Sequence, residues 1–220
     1  MNEKHEHKMK LLERIVCHQI LNVSFDSDLS LCKGRMGCII FFYHYSRYTN
    51  SELFAQIADE LLEELCEKIA VNANWYFSSG LAGIGWGIEY LARNKFIDGD
   101  TNEILYNIDK KIMEYDVYRI TDTTFEKGIE GLSWYVLSRL MSQHKVGRPF
   151  DDLYLKNMGN VCRDMTTSSE NQGVLLLNRF FEGEKITYPY LDVLYRIIDY
   201  QKVESSCEDL TWQNGMRQLL

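Results

Sequence analysis

Three short stretches of this chain repeat one pattern: Gly34-Arg35-Met36-Gly37, Gly80-Leu81-Ala82-Gly83 and Gly128-Ile129-Glu130-Gly131. Each G-x-x-G step opens an apolar, aromatic run: CIIFFYHY, IGWGIEYLAR and LSWYVLSRL. From Gly34 to Gly80 is 46 positions and from Gly80 to Gly128 is 48. A period of this length marks a repeat built from pairs of helices. The first glycine of each step suits a turn with positive φ, and the second suits close backbone approach at a helix start. A large residue recurs six positions after each first glycine: Ile40, Trp86 and Trp134. Trp86 and Trp134 are expected in the core, with a ligand platform as the lesser reading.

The pattern continues in weaker form. Glu170-Asn171-Gln172-Gly173 precedes VLLLNRFF, and Trp212-Gln213-Asn214-Gly215 precedes MRQLL. Both keep the second glycine and lose the first. The repeats are clear over residues 28–142 and degenerate over 143–220, and no low-complexity linker divides them. One helical-repeat domain over 1–220 is expected, with about ten helices.

The intervening segments read as partner helices. Residues 51–70 place Phe54, Ile57, Ala58, Leu61, Leu62, Leu65 and Ile69 on one stripe, at helical spacing. Asp100 and Glu103 have the spacing of a capping box. Pro149 and Pro189 suit first-turn positions of two later helices. Two prolines stand where average usage gives about 11, which fits a helical chain. The run Cys38–Tyr45 has a strand-like composition, but its repeat equivalents make it helix.

Charge narrows the function classes. The net charge of −8 opposes general nucleic-acid binding, which needs a basic surface. No run of 18 or more apolar residues could span a bilayer. The charged N-terminus MNEKHEHKMK lacks the apolar centre of a signal peptide, so a cytoplasmic location is expected. The cysteines Cys17, Cys32, Cys38, Cys66, Cys162 and Cys207 form no C-x-x-C pair and read mostly as small buried hydrophobes. Cys17-His18 are adjacent, about 100° apart on a helix, and cannot chelate one ion together. Packing is expected for Cys17 and solvent for His18.

Read with their flanks, the glycine steps resemble the lanthionine synthetase C-like family. Gly80-Leu81-Ala82-Gly83-Ile84-Gly85-Trp86, Gly128-Ile129-Glu130-Gly131-Leu132-Ser133 and Leu31-Cys32-Lys33-Gly34-Arg35-Met36-Gly37 carry the likeness. The wording GIGWGIEYL and FFYHYSRYTN is similar to the branch found in gut Bacteroidetes. The resemblance implies an all-α fold, an α/α toroid of seven helix pairs whose glycine turns converge on the active face. In catalytic members, it implies zinc held by two cysteines and a histidine. The metal lowers the pKa of a peptide thiol, which adds to a dehydrated Ser or Thr.

The chain departs from that pattern. Five glycine steps are visible, so the array is shortened or incomplete. The Cys-His-Gly step and partner cysteine of the family belong to later repeats, and the late steps here, Glu170-Asn171-Gln172-Gly173 and Trp212-Gln213-Asn214-Gly215, supply neither Cys nor His. Cys32-Lys33-Gly34 has a similar shape in the wrong repeat, and a protonated lysine is a poor zinc ligand. No catalytic residue and no metal ligand carries over. The first expectation is a non-catalytic relative, without cofactor, that binds a peptide or protein partner during maturation of a ribosomally made peptide. The alternative is a cyclase-like enzyme, completed by another chain or using no zinc. A distant third is a toroid glycosidase, with Glu89, Glu130 and Glu170 as candidate acids.

Lys33, Arg35 and Glu130, inside or beside the glycine steps, are candidate binding residues if the turns share a face. Trp86 and Trp134 join them as candidate platforms. The first and last pairs of a shortened array lack a neighbour. Three arrangements would cover them: closure with fewer pairs, the helix around Leu11–Leu21, or a second copy. A homodimer is the favoured expectation, because bare apolar surface marks an interface.

Overall fold

A computed structural model describes residues 3–69, 73–142, 147–165, 171–200 and 209–220. Cys207 and Glu170 lie outside these segments. Among the described residues the fold is all-α, an array of helix pairs with no β-strand. Ten α-helices run as α1 (Glu3–Asn22), α2 (Arg35–Thr49), α3 (Glu52–Lys68), α4 (Leu81–Arg93), α5 (Thr101–Met113), α6 (Ile129–Met141), α7 (Asp152–Met165), α8 (Gln172–Phe181), α9 (Tyr190–Ile198) and α10 (Trp212–Leu219). The even-numbered helices are those that the glycine steps open. Among the described residues, no helix is long and apolar enough to cross a membrane.

The chain divides into two compact units, one of residues 1–69 with 191–220 and one of residues 70–190. In the second unit α4, α6 and α8 pack in series, with α5 against α4 and α7 against α8. Every residue of α4 from Leu81 to Leu91 and of α6 from Ile129 to Arg139 is buried. Helices that are apolar on all sides belong inside. The odd-numbered helices are amphipathic: α3 buries Ala58, Leu61 and Leu65 and keeps its charges outside.

The first unit joins the two ends of the chain. Helix α10 packs on both α2 and α1. The Gln213 amide donates to the Cys32 carbonyl, and Gln19 Nε2 donates to the Leu210 carbonyl at 2.7 Å. The last glycine helix therefore covers the first one, and the N-terminal helix covers the last. Within this unit α1 lying against α10 is one of the three covering arrangements named above.

One local device recurs at each clear glycine step. An Asx residue six positions ahead of the glycine accepts a side-chain bond from the backbone two residues on. The pairs are Ser30 N to Asp28 at 2.8 Å, Tyr76 N to Asn74 at 3.0 Å and Thr124 N to Asp122 at 2.7 Å. The backbone carbonyl of the same Asx then accepts from the first helical N–H. These links are Arg35 to Asp28 at 2.8 Å, Leu81 to Asn74 at 2.9 Å and Ile129 to Asp122 at 2.9 Å. The intervening glycine has φ of −109°, −142° and −105° at the three steps, so the expected positive φ is not what selects it. Close approach does: at Gly128, an added Cβ would collide with the Asp122 carbonyl and stand 2.5 Å from Thr124 N.

Other expectations shift slightly. Asp100 caps α5, accepting from Asn102 N at 3.0 Å. Pro149, in a bend, and Pro189 precede α7 and α9 rather than lying in their first turns. Cys32, Cys38 and Cys162 are buried as expected, whereas Cys17 and Cys66 are exposed. Cys17 falls on the outer face of α1, whose inner face is carried by Leu12, Ile15 and Val16.

Two stability measurements probe this framework. A methyl at Gly131 would run into the Phe125 carbonyl and stand 2.5 Å from Phe77 Cβ. Gly131→Ala should lower the urea unfolding free energy by about 1–3 kcal/mol, the usual scale of overpacking. His44 on α2 provides the pH probe. Burial, helped by Arg47, pulls its imidazole from the usual 6.5 down to about 4. The unfolded chain therefore binds the proton first on acidification. Stability from this group is complete above pH 6.5 and is lost as pH falls toward 4. The urea midpoint of His44→Gln should vary less with pH across that window than the wild-type midpoint does.

Candidate functional site

The five residues singled out by sequence have different fates. Arg35 is buried, and its guanidinium is spent inside the first unit. It donates to the Asp26 and Ser24 carbonyls at 2.7 Å each and to Glu64 at 2.9 Å. Glu130 is fully buried in the second unit. Its carboxylate accepts from Trp134 Nε1 at 2.8 Å, from Gly173 N at 2.9 Å and from Val174 N at 3.2 Å. It thus caps the start of α8, whose own N-cap residue Asn171 makes no side-chain cap bond. A carboxylate there also meets the positive end of the helix dipole. Trp86 and Trp134 are core residues. Trp86 Nε1 donates to Tyr188 Oη at 2.8 Å, and that hydroxyl donates to the Trp134 carbonyl at 2.9 Å.

Arg35 and Glu130 therefore cannot offer their charges to a ligand, because each is consumed in tying one turn or helix to the next. Lys33 alone of the five is exposed. It lines a pocket of about 380 Å³ in the first unit, beside Phe25, Cys38, Trp212 and Gln213. Phe25 is 89% exposed, an unusual place for a large apolar ring. The Trp212 indole N–H is buried without an acceptor among the described residues. A second pocket, about 450 Å³, opens in the second unit between the loops that lead into α4 and α6. Trp75, Tyr76 and Tyr115 supply its aromatic surface, with Arg119 and Lys127 beside them. Nothing in the spacing of the glycine steps points to these aromatics. Only their place between an Asx and its glycine would have found Trp75 and Tyr76.

Unforeseen from sequence, the second unit also buries an ionic cluster. Arg139 is completely enclosed. It donates to Asp109 at 2.6 Å, to Asn102 at 2.8 Å, to Thr101 at 3.1 Å and to Glu89. Tyr135 Oη donates to Asp109 and Ser142 Oγ to Glu89, both at 2.5 Å. Burial, the largest influence on Asp109, pushes its carboxyl above the usual range despite the nearby Arg139. Burial works against the Arg139 charge, yet its donation to Asp109 and the charges of the surrounding groups hold the guanidinium above its ordinary value. Glu89 and Glu130, named above as candidate glycosidase acids, are thus locked into internal bonds.

The chain belongs to the lanthionine synthetase C-like family: that family's profile, described as lanthionine synthetase C-like protein, matches residues 26–214. No curated protein matches the chain. The zinc that the family implies can be tested against the donors present. Among the described residues no group of three or more His, Cys, Asp and Glu side chains comes together in a metal-holding arrangement. Cys38 shares its pocket with His18, but burial, then Asp26, pushes its thiol up to about 12. That thiol donates to Gln19 Oε1 at 3.1 Å, whereas a zinc ligand must be a thiolate. Among the described residues the donor set does not fit the metal.

The ionic cluster gives a sharp expectation. Arg139→Met leaves two buried carboxylates facing each other and should cost about 3–5 kcal/mol of unfolding free energy. Adding Glu89→Gln and Asp109→Asn should recover part of that loss in the same urea titration. A simple surface role for Arg139 would leave all these variants alike.

Proposed function

We propose that this chain is a non-catalytic member of its family that binds a peptide or protein partner in the cytoplasm. Its context on this reading is the maturation of a ribosomally made peptide. The observation that carries the reading is the chemistry of the late glycine steps. The resemblance would put metal ligands there, and this chain has amides engaged in backbone bonding. Asn171 Nδ2 donates to the Thr123 carbonyl at 3.2 Å. Asn214 Nδ2 donates to the Asp209 carbonyl at 2.6 Å, and Gln213 donates to the Cys32 carbonyl. An amide so used holds one turn against another and offers nothing to a thiol. The pockets at Lys33 and at Trp75 are open and polar enough to receive peptide groups.

The test combines metal content with turnover. Purified protein should hold far less than one zinc per chain. Incubated with a peptide carrying both a free cysteine and a dehydrated serine, it should leave the thiol titre at the no-protein level. Stoichiometric zinc, removed by a chelator together with accelerated thiol loss, would replace this reading with the cyclase one.

A further inference from the structure

One side of α7 and the last turn of α8 bound a groove of about 550 Å³ within the second unit. Its floor is apolar. Leu140, Pro149, Leu155, Phe180 and Phe181 line it, each only partly buried. The Phe180 and Phe181 rings meet edge to face at 6.2 Å. Gly159 lets them lie close to α7, since a Cβ there would stand 3.3 Å from the Phe181 ring. Helix α7 contributes Leu155, Lys156, Gly159, Asn160 and Arg163, a spacing that holds one helix face over two turns.

The rim is cationic. Arg148, Lys156 and Arg163 line the groove and are exposed, and among the described residues no acidic side chain lines it. The acids flanking it in sequence are used elsewhere. Asp151 accepts from Tyr154 N at 2.7 Å, and Glu182 accepts from Asn178 Nδ2 at 2.9 Å. Glu184 pairs with Arg179 at 2.6 Å. Asp164 follows Arg163 on α7 and so points about 100° away around the helix. Asp152 pairs with Arg148 at 3.1 Å and offsets one of the three rim charges. Those two side chains are 77% and 91% exposed, and such pairs contribute little. Lys156 makes no ion pair or hydrogen bond among the described residues. In a chain of net charge −8, an apolar floor beneath this positive rim selects a ligand that is both apolar and acidic.

Two observations decide the form of that ligand. The one amide side chain in the lining is engaged, with Asn160 Nδ2 donating to Tyr118 Oη at 3.1 Å and Asn160 Oδ1 accepting from Arg163 at 3.4 Å. An extended strand would bury backbone groups here without partners, whereas a helix satisfies its own. Lys156 and Arg163 are two turns apart on one face, about 10.5 Å along α7. A single carboxylate, as on a fatty acid, cannot reach both, but acids two turns apart on a helix can. We propose that the groove receives an amphipathic acidic helix of a partner, a site and a ligand chemistry that rest on the peptide-binding reading above. Apolar side chains at i and i+4 of that helix lie on Leu155, Phe180 and Phe181, and its Glu or Asp residues pair with Lys156 and Arg163.

The test uses the full-length protein and fluorescein-labelled peptides of about 18 residues, long enough for a stable helix. One carries Leu at i and i+4 with Glu on the flanks, one has the same composition in scrambled order, and one has Lys in place of Glu. Fluorescence anisotropy reads binding. A benzophenone side chain at one apolar position, with mass spectrometry of the photoproduct, reads the site. The amphipathic acidic peptide should bind saturably and crosslink to α7 or to Phe180 and Phe181. Lys156→Glu should weaken it about tenfold at low salt, since attraction is lost and repulsion gained, while Lys156→Arg should retain it. Equal binding of the scrambled or basic peptide overturns the proposal. So does calorimetric binding of dodecanoate in the absence of peptide binding, or a homodimer in sedimentation equilibrium that Lys156→Glu dissociates. If the acidic peptide binds but crosslinks elsewhere and ignores Lys156→Glu, the groove is the wrong site and peptide binding by the chain stands. If no peptide binds, both fall.

Discussion

The structure hangs on a backbone bond that recurs before each clear glycine helix. The carbonyl of Asp28, Asn74 or Asp122 accepts the first helical N–H, closing a short loop back on the helix it feeds. Four N–H groups at a helix start lack partners inside the helix, and here one of them is satisfied by the loop's own entry point. The bond is only reachable because the N-cap residue lacks a side chain. Once closed, the loop presents its middle residues in a fixed direction, and those residues form the walls of the second-unit pocket. Glycine, Asx turn and pocket are therefore one construction.

The degenerate steps solve the same problem by other means. Helix α8 has lost the first glycine, and its N–H groups go to the Glu130 carboxylate, carried on the neighbouring α6. Helix α10 is capped by Thr211, which accepts from Asn214 N. In both cases a side chain replaces a backbone link. The exchange carries a structural consequence. A carboxylate buried for capping costs desolvation that only good hydrogen bonds offset, so Glu130 is fixed where it is and cannot double as a ligand-binding acid. Arg139 follows the same rule on a larger scale: its two acids and two neutral acceptors meet the whole fork of the guanidinium. Such a cluster favours one arrangement of α4, α5 and α6 over others, because any shift strands a charge.

Much of the fold was legible because the glycines and the large residues six positions on recur at one period, and Ile40, Trp86 and Trp134 are all core residues. The second glycine is a point of close approach at several steps: Gly37 faces the Trp212 ring, Gly131 the Phe125 carbonyl and Gly215 the Phe41 ring. The Asx six places before the first glycine is equally periodic, but its link to that glycine exists only in the folded loop, where its carbonyl lies against the glycine. The site was less legible. Charges near the turns looked alike in sequence, and only burial separates Arg35 and Glu130, which are consumed internally, from Lys33, which is not. The meeting of α10 with α2 depends on residues far apart in the chain, and no local pattern announces it.

The side chains of the late steps join neighbouring elements of the fold. A turn that holds a metal needs donors aimed inward with free lone pairs, and thiols that ionise. A turn that only joins neighbouring elements needs donors that reach backbone carbonyls. Asn171, Gln213 and Asn214 meet the second need and fail the first, since an amide nitrogen carries no lone pair for a metal and is used here as a donor. Cysteine or histidine at Gln213 would lose the bond to Cys32 that joins the last helix to the first. Gln213 thus serves the joining of α10 to the loop before α2, and its replacement would open that joint.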